Sequence, residues 1–226
     1  MFDLFLNPSR LFQRIANRPG WMLPFVAVVL LTVASLCLLT PISRQVFMHT
    51  IPPGMDAAKI EQLQSSFKLS SYLSLIFTPI IVFVRIGILT VLFYAVMVLA
   101  GIDVSYRRML SLLTYASVFT ALDRLGGAVM NYVLGGDSIQ RAADVQSTFL
   151  SANAFFDASS PFVRSLFDSV SPLTLWYLAL IALGISTIAR VPRSRAAIIT
   201  VVVWGVQTGF ISAASLLLSR ANASAQ

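Results

Sequence analysis

The chain has 226 residues, 57% of them hydrophobic and only 11% charged, with a mean hydropathy of +0.82; soluble domains are about one-quarter charged, so a water-soluble globule is excluded and the surrounding solvent is lipid. The formal charge of +7 sits at the ends of apolar runs rather than along one face, which excludes a nucleic-acid module and reads as a topology signal. One cysteine, Cys37, and one histidine, His49, exclude a disulfide framework and a zinc motif.

Leu4 to Arg18 reads as an amphipathic helix. Asn7 suits its N-cap and Pro8 its first turn. Leu4, Pro8, Leu11, Phe12, Ile15 and Ala16 share one face, while Arg10, Gln13, Arg14, Asn17 and Arg18 share the other. The expectation is a helix lying in the headgroup layer, with Phe12 and Trp21 in contact with the membrane and Arg10, Arg14 and Arg18 on anionic lipid. Docking of the same face on protein is the alternative.

Pro19-Gly20 breaks the helix. A first span follows at about 21–39, with Pro41 ending it and no small-x-small cleavage site behind it. Pro52-Pro53-Gly54 reads as a turn, and Asp56 to Leu69 as a short amphipathic surface helix. The second span, 72–100, would be about 43 Å long at 1.5 Å per residue, so it must tilt, bend or protrude. A polar link with Arg107 and Arg108 leads to the third span, 109–134, which ends at Gly135-Gly136.

The loop from Asp137 to Val170 carries Phe149, Phe155, Phe156, Phe162 and Phe167. A fully solvated loop would not expose so many aromatics, so short helices on the membrane or capping the bundle are expected. The fourth span, 172–189, and the fifth, 196–219, flank the basic turn from Arg190 to Arg195. The fold class predicted is therefore all-α, a single membrane domain of five spans preceded by an interfacial helix.

The short connections hold eight arginines against Asp3 and Asp103, a net of +6, whereas basic and acidic residues balance in the long connections. The positive-inside rule then puts the N-terminus in the cytoplasm and the C-terminus on the other side. Three charges remain inside spans: Arg85, Asp123 and Arg124. Charges at membrane depth need a structural or functional reason. Arg85 lies ~24 Å of helix from Gly101, and Asp123 ~22 Å from Arg108. At matching depth on neighbouring antiparallel spans, the two are expected to form an ion pair. Arg124 points about 100° away and needs another partner, such as Asp157, Asp168 or the outer interface. Asn131 lies on the same polar strip. The strip reads either as a clamp between two helices or as the lining of a polar cavity. Gly126-Gly127 and Gly184 permit close helix approach, and Gly205-Val-Gln-Thr-Gly209 is expected to do so within the bundle, with Gln207 bonding across helices.

Catalytic constellations are missing: no H-E-x-x-H, no P-loop and no Ser/His/Asp arrangement. No enzyme, cofactor or metal is expected.

Taken in order, Leu6-Asn7-Pro8-Ser9-Arg10-Leu11-Phe12-Gln13-Arg14-Ile15, then Arg18-Pro19-Gly20-Trp21 with Pro24, Leu110-Ser-Leu-Leu-Thr-Tyr115-Ala116 and Trp176-Tyr177-Leu178, resemble the bacterial members of the Ypt-interacting-protein (Yip domain) family. The resemblance covers almost the whole chain and implies five spans. Eukaryotic members of that family are associated with Rab GTPases; their acidic-Tyr-Gly-Pro motif is absent here, so no GTPase partner and no site residue is carried over. The function expected is a non-enzymatic protein of the bacterial inner membrane that organises or shapes membrane or scaffolds partners. A membrane protein partner or a second copy is the partner class considered beside lipid. The alternative is a small transporter or channel component built around Arg85 and Asp123.

Overall fold

In the computed structural model the described residues are 4, 7–49, 51, 54–133, 149–152 and 160–224. They form seven main helices: α1 (Pro8–Asn17), α2 (Met22–His49), α3 (Ala57–Leu99), α4 (Tyr106–Val133), α5 (Pro161–Asp168), α6 (Pro172–Ala189) and α7 (Arg193–Ser224). Pro52-Pro53, the end of the third span at Gly135-Gly136, and Asp137, Phe155, Phe156 and Asp157 lie outside the described residues.

Four helical segments are long and apolar enough to cross a membrane: Met22–His49, Ala57–Leu99, Pro172–Ala189 and Arg193–Ala214. The protein is thus an all-α, multi-span membrane bundle. With 28 residues, α4 is about 42 Å long, sufficient in length, but it falls outside that apolar set. Its position explains why. It packs most extensively against α2, then α6, α3 and α1, and its buried residues include Met109, Leu112, Leu113, Ala116, Phe119, Gly127 and Ala128. A helix enclosed by protein can carry Ser111, Thr114, Ser117 and Asp123 on its buried surface, provided each polar group is hydrogen-bonded. Three of them use a neighbouring turn: Ser111 donates to the Arg107 carbonyl at 2.9 Å, Thr114 to Leu110 at 2.7 Å and Ser117 to Leu113 at 2.7 Å.

Two expected boundaries are corrected. First, Pro41 does not end the first span: α2 runs through it to His49. A proline inside a helix costs about 3 kcal/mol, and here packing continues beyond it. Leu39, Ile42 and Val46 form a small apolar cluster, and Phe47 stacks on Phe67 of α3 at 5.1 Å. Second, Asp56 to Leu69 is not a separate surface helix. It is the N-terminal part of α3, which continues unbroken for 43 residues, about 64 Å, also passing through Pro79.

The link from α3 to α4 is made by a glycine. Gly101 adopts φ 69°; its N–H bonds the Val98 carbonyl at 3.0 Å, and the Ile102 N–H bonds Met97 at 2.9 Å. This is the Schellman pattern, which wants glycine at the left-handed position. Ile102 and Met97 are both buried in the main core. Arg195, at the start of α7, donates from Nη2 to the Ala100 carbonyl at 3.1 Å. Two of the arginine-rich connections therefore meet at one end of the bundle.

Candidate functional site

The helix α1 starts as its sequence dictates: the Asn7 side chain accepts from the Arg10 N–H at 3.3 Å, with Pro8 in the first turn. Its apolar face, however, is spent on protein. Leu11, Phe12 and Ile15 are buried in the main core, and the helix packs on α6 and α4. Phe12 is 0% exposed, so it is not a membrane-surface residue; burying an aromatic ring between helices is the better contact where protein is already present. Arg10, Arg14 and Arg18 remain exposed on the opposite face, with Arg14 near enough to Tyr115 of α4 to act on it electrostatically. Trp21 is half-buried and packs into an aromatic trio, 5.8 Å from Phe25 and 5.9 Å from Phe83 of α3.

Among the intramembrane charges, the expected Arg85–Asp123 ion pair does not form. Asp123 is 2% exposed and its carboxyl is engaged elsewhere. Ser171 Oγ donates to Asp123 Oδ2 at 2.6 Å, and the Phe149 N–H donates to Oδ1 at 3.0 Å. The Thr174 hydroxyl reaches the same carboxyl. Ser171 in turn is the N-cap of α6, accepting from the Thr174 N–H at 3.0 Å. One buried carboxyl thus fastens the α6 N-terminus and the 149–152 segment to α4. Depth arithmetic placed Asp123 at the right level and the wrong azimuth. A step of 100° around α4 turns it toward α6, whereas Ser117, Thr120, Ala121 and Arg124 are the residues that turn toward Arg85 across a cavity of about 70 Å³.

Arg85 faces Arg124 rather than an acid. Its positive charge acts on Arg124 more strongly than any other, with neighbouring Asp123 offsetting part of the effect. Neither guanidinium forms an ion pair with a described acid: Asp168, considered for Arg124, sits 3.5 Å from Ser151 Oγ, and Asp157 lies outside the described residues. Asn131, two turns beyond Asp123 on α4, is buried. The predicted polar strip therefore divides into Asp123 on the α6 side and the arginines on the α3 side.

The small residues also divide. A Cβ on Gly184 would meet Leu112, and one on Gly126 would lie 2.9 Å from Phe149 Cβ; both are true close approaches. Around Gly205 and Gly209 nothing lies within 4 Å, so this pair does not pack inside the bundle. Gln207 lines a groove between α3 and α7. Among the described residues no group of three His, Cys, Asp or Glu is placed to hold a metal. His49 and Cys37 are both exposed. Sequence reasoning missed Ser171, Phe149 and Tyr177 as partners of these charges. Only Ser171 carried a signal, since Ser-Pro before an apolar run marks a helix start.

The Yip1 domain family matches residues 2–215 of this chain. The chain belongs to the Yip1 domain family. No curated protein and no solved structure matches it. Yip1-domain membership agrees with the multi-span membrane bundle. In this Yip1-domain chain Asp123, Ser171 and Gly126 are joints of the bundle.

Proposed function

We propose that this chain is a Yip protein of bacterial type that organises membrane or scaffolds partners from five spans. Its N-terminus would lie in the cytoplasm of a bacterial inner membrane and its C-terminus on the opposite side. The fifth span in this reading is α4, which needs less apolarity because other helices screen it from lipid. The meeting of Arg195 with the α3–α4 link, and α1 packed on α6 and α4, support one arginine-rich end. Such an end would rest on anionic lipid, each basic residue near the surface contributing about 1 kcal/mol.

The observation that carries the reading is the closure around Asp123. A conduit needs a polar path, but this carboxyl is sealed by α6 and the 149–152 segment, and the cavity beside Arg85 holds about 70 Å³. With the apolar face of α1 buried, contact with the cytoplasmic surface would run through Arg10, Arg14 and Arg18 rather than through inserted aromatics. The decisive experiment is reconstitution of the full chain into liposomes, with solute-flux and lipid-scrambling assays beside electron microscopy of vesicle shape. Altered vesicle shape or clustering without flux is the expected result. Solute flux that disappears in Asp123→Asn would replace this reading with the transporter one.

A further inference from the structure

Five hydroxyls line the cavity between α2, α3, α4 and α6, and four of them donate to a carbonyl of their own helix: Thr32 to Val28, Thr78 to Ser74, Ser117 to Leu113 and Thr120 to Ser117. The donors left over are the guanidinium groups of Arg85 and Arg124 and the hydroxyl of Tyr177. Tyr177 is 7% exposed, and among the described residues its hydroxyl has no hydrogen-bond partner. Arg85 and Arg124 line this space while remaining exposed along their length, and among the described residues neither they nor the buried Tyr177 O–H has an acceptor. Leaving such groups unsatisfied at membrane depth is costly, and guanidinium groups bind phosphate through paired, charge-assisted hydrogen bonds.

A second observation says where that acceptor comes from. Ile81, Arg85 and Leu89 of α3 line this cavity and also an adjoining apolar groove of about 630 Å³ between α3 and α7. Val84, Ile88 and Phe210 line the groove as well. Arg85 therefore stands at the junction of a polar pocket and an open apolar groove. Arg124 is next in sequence to Asp123, whose carboxyl bonds the N-cap of α6. The pocket thus begins level with the end of that 18-residue helix, about 27 Å long, and reaches inward to Tyr177, about 7.5 Å along it, within reach of the headgroups of one leaflet.

We propose that this site binds the phosphate of an anionic phospholipid between Arg85, Arg124 and Tyr177, with an acyl chain in the groove between α3 and α7. The site is distinct from the arginine face of α1 and does not depend on the scaffold reading. The test uses the full chain in nanodiscs and in mild detergent, with bound phosphatidylglycerol and phosphatidylcholine counted by native mass spectrometry. Wild type should retain phosphatidylglycerol, and loss of either guanidinium should weaken retention roughly ten-fold, the value of one hydrogen bond to a charged group. Arg85→Lys should keep more than Arg85→Gln.

Equal retention by wild type and a folded Arg85→Gln/Arg124→Gln protein overturns the proposal. So does stabilisation of the detergent-solubilised chain by inorganic phosphate equal to that by phosphatidylglycerol, which would mark a free-anion site. If the double variant does not fold, Tyr177→Phe and Val84→Trp replace it, removing the donor and filling the groove. Retention lowered several-fold by both supports the lipid site, and retention unchanged in either overturns it.

Discussion

Helices α3 and α4 are neighbours of opposite character. The longer helix, α3, is strongly apolar and displays much of that surface: Ile76, Ile80 and Ile88 are all more than half exposed, and Leu99 is 86% exposed. The shorter helix, α4, falls outside the apolar set, yet Leu112, Leu113 and Ala116 on it are 0% exposed. The difference teaches that in a membrane bundle hydropathy reports contact with lipid, while burial in protein is reported by small residues and by polar groups that find partners. Lipid tails are as apolar as leucine, so no hydrophobic force assembles the helices, and packing carries the specificity.

The largest test of that contrast is a paired truncation. Leu112→Ala removes a side chain enclosed by protein and packed on Gly184. It should cost about 2–5 kcal/mol of bundle stability, read as loss of thermal stability in detergent. Ile88→Ala, at a site 66% exposed, should cost less than about 0.5 kcal/mol. Equal losses at the two positions would end the distinction between a lipid-facing α3 and an enclosed α4.

Next in size is Asp123→Ala, which removes the acceptor of the Ser171 hydroxyl and one of two acceptors of the Phe149 N–H, the Asp123 backbone carbonyl at 3.1 Å remaining. Hydrogen bonds to a charged group contribute roughly 1.5–3 kcal/mol each and are not fully additive, so a loss of about 2–4 kcal/mol is expected. Asp123→Asn should lose less, because one amide oxygen still accepts while the NH₂ faces a donor. An Arg85→Gln partner should add to it independently, since the two groups share no bond. A strong non-additive coupling in a double-mutant cycle would restore the ion pair that the geometry replaces. Gly126→Ala comes third. The new methyl would lie 2.9 Å from Phe149 Cβ, pushing the segment that bonds Asp123. A cost of about 1–3 kcal/mol is expected for such overpacking, visible as increased proteolysis near Phe149.

Much of this architecture was legible in the chain itself. Apolar runs of sufficient length gave the helices, and Asn7-Pro8 marked the start of α1. What failed did so for identifiable reasons. Pro41 and the polar stretch before Tyr72 read as breaks, but α2 and α3 continue side by side, and the Phe47–Phe67 stack rewards it; a one-dimensional reading cannot weigh a contact with another helix. Phe12 is apolar whether it faces lipid or protein, so its pattern could not choose between them. Arg85 and Asp123 were matched by depth, which helix rise supplies, but azimuth depends on how α4 is rotated. That rotation is tied to bonds with Ser171 and Phe149, 48 and 26 residues away.

The smallest expected effect addresses the same question of inside against outside. Gly205-Val-Gln-Thr-Gly209 has the spacing of a helix-packing motif, but a Cβ at either glycine meets nothing within 4 Å. Around it on α7, Val201, Val202, Val206 and Phe210 are exposed, the last two on the open groove beside α3. Alanine at both positions should therefore create no clash. It should leave stability unchanged or raise it slightly, since glycine in a helix interior costs roughly 0.5–1 kcal/mol relative to alanine. Bulkier Gly205→Leu should be tolerated as well, whereas leucine at Gly184 should not, because that position lies against Leu112. If alanine at Gly205 and Gly209 instead lowers stability in a manner that depends on protein concentration, the open face is covered by a second copy. The spacing would then act between chains, where close backbone approach is what the two glycines permit.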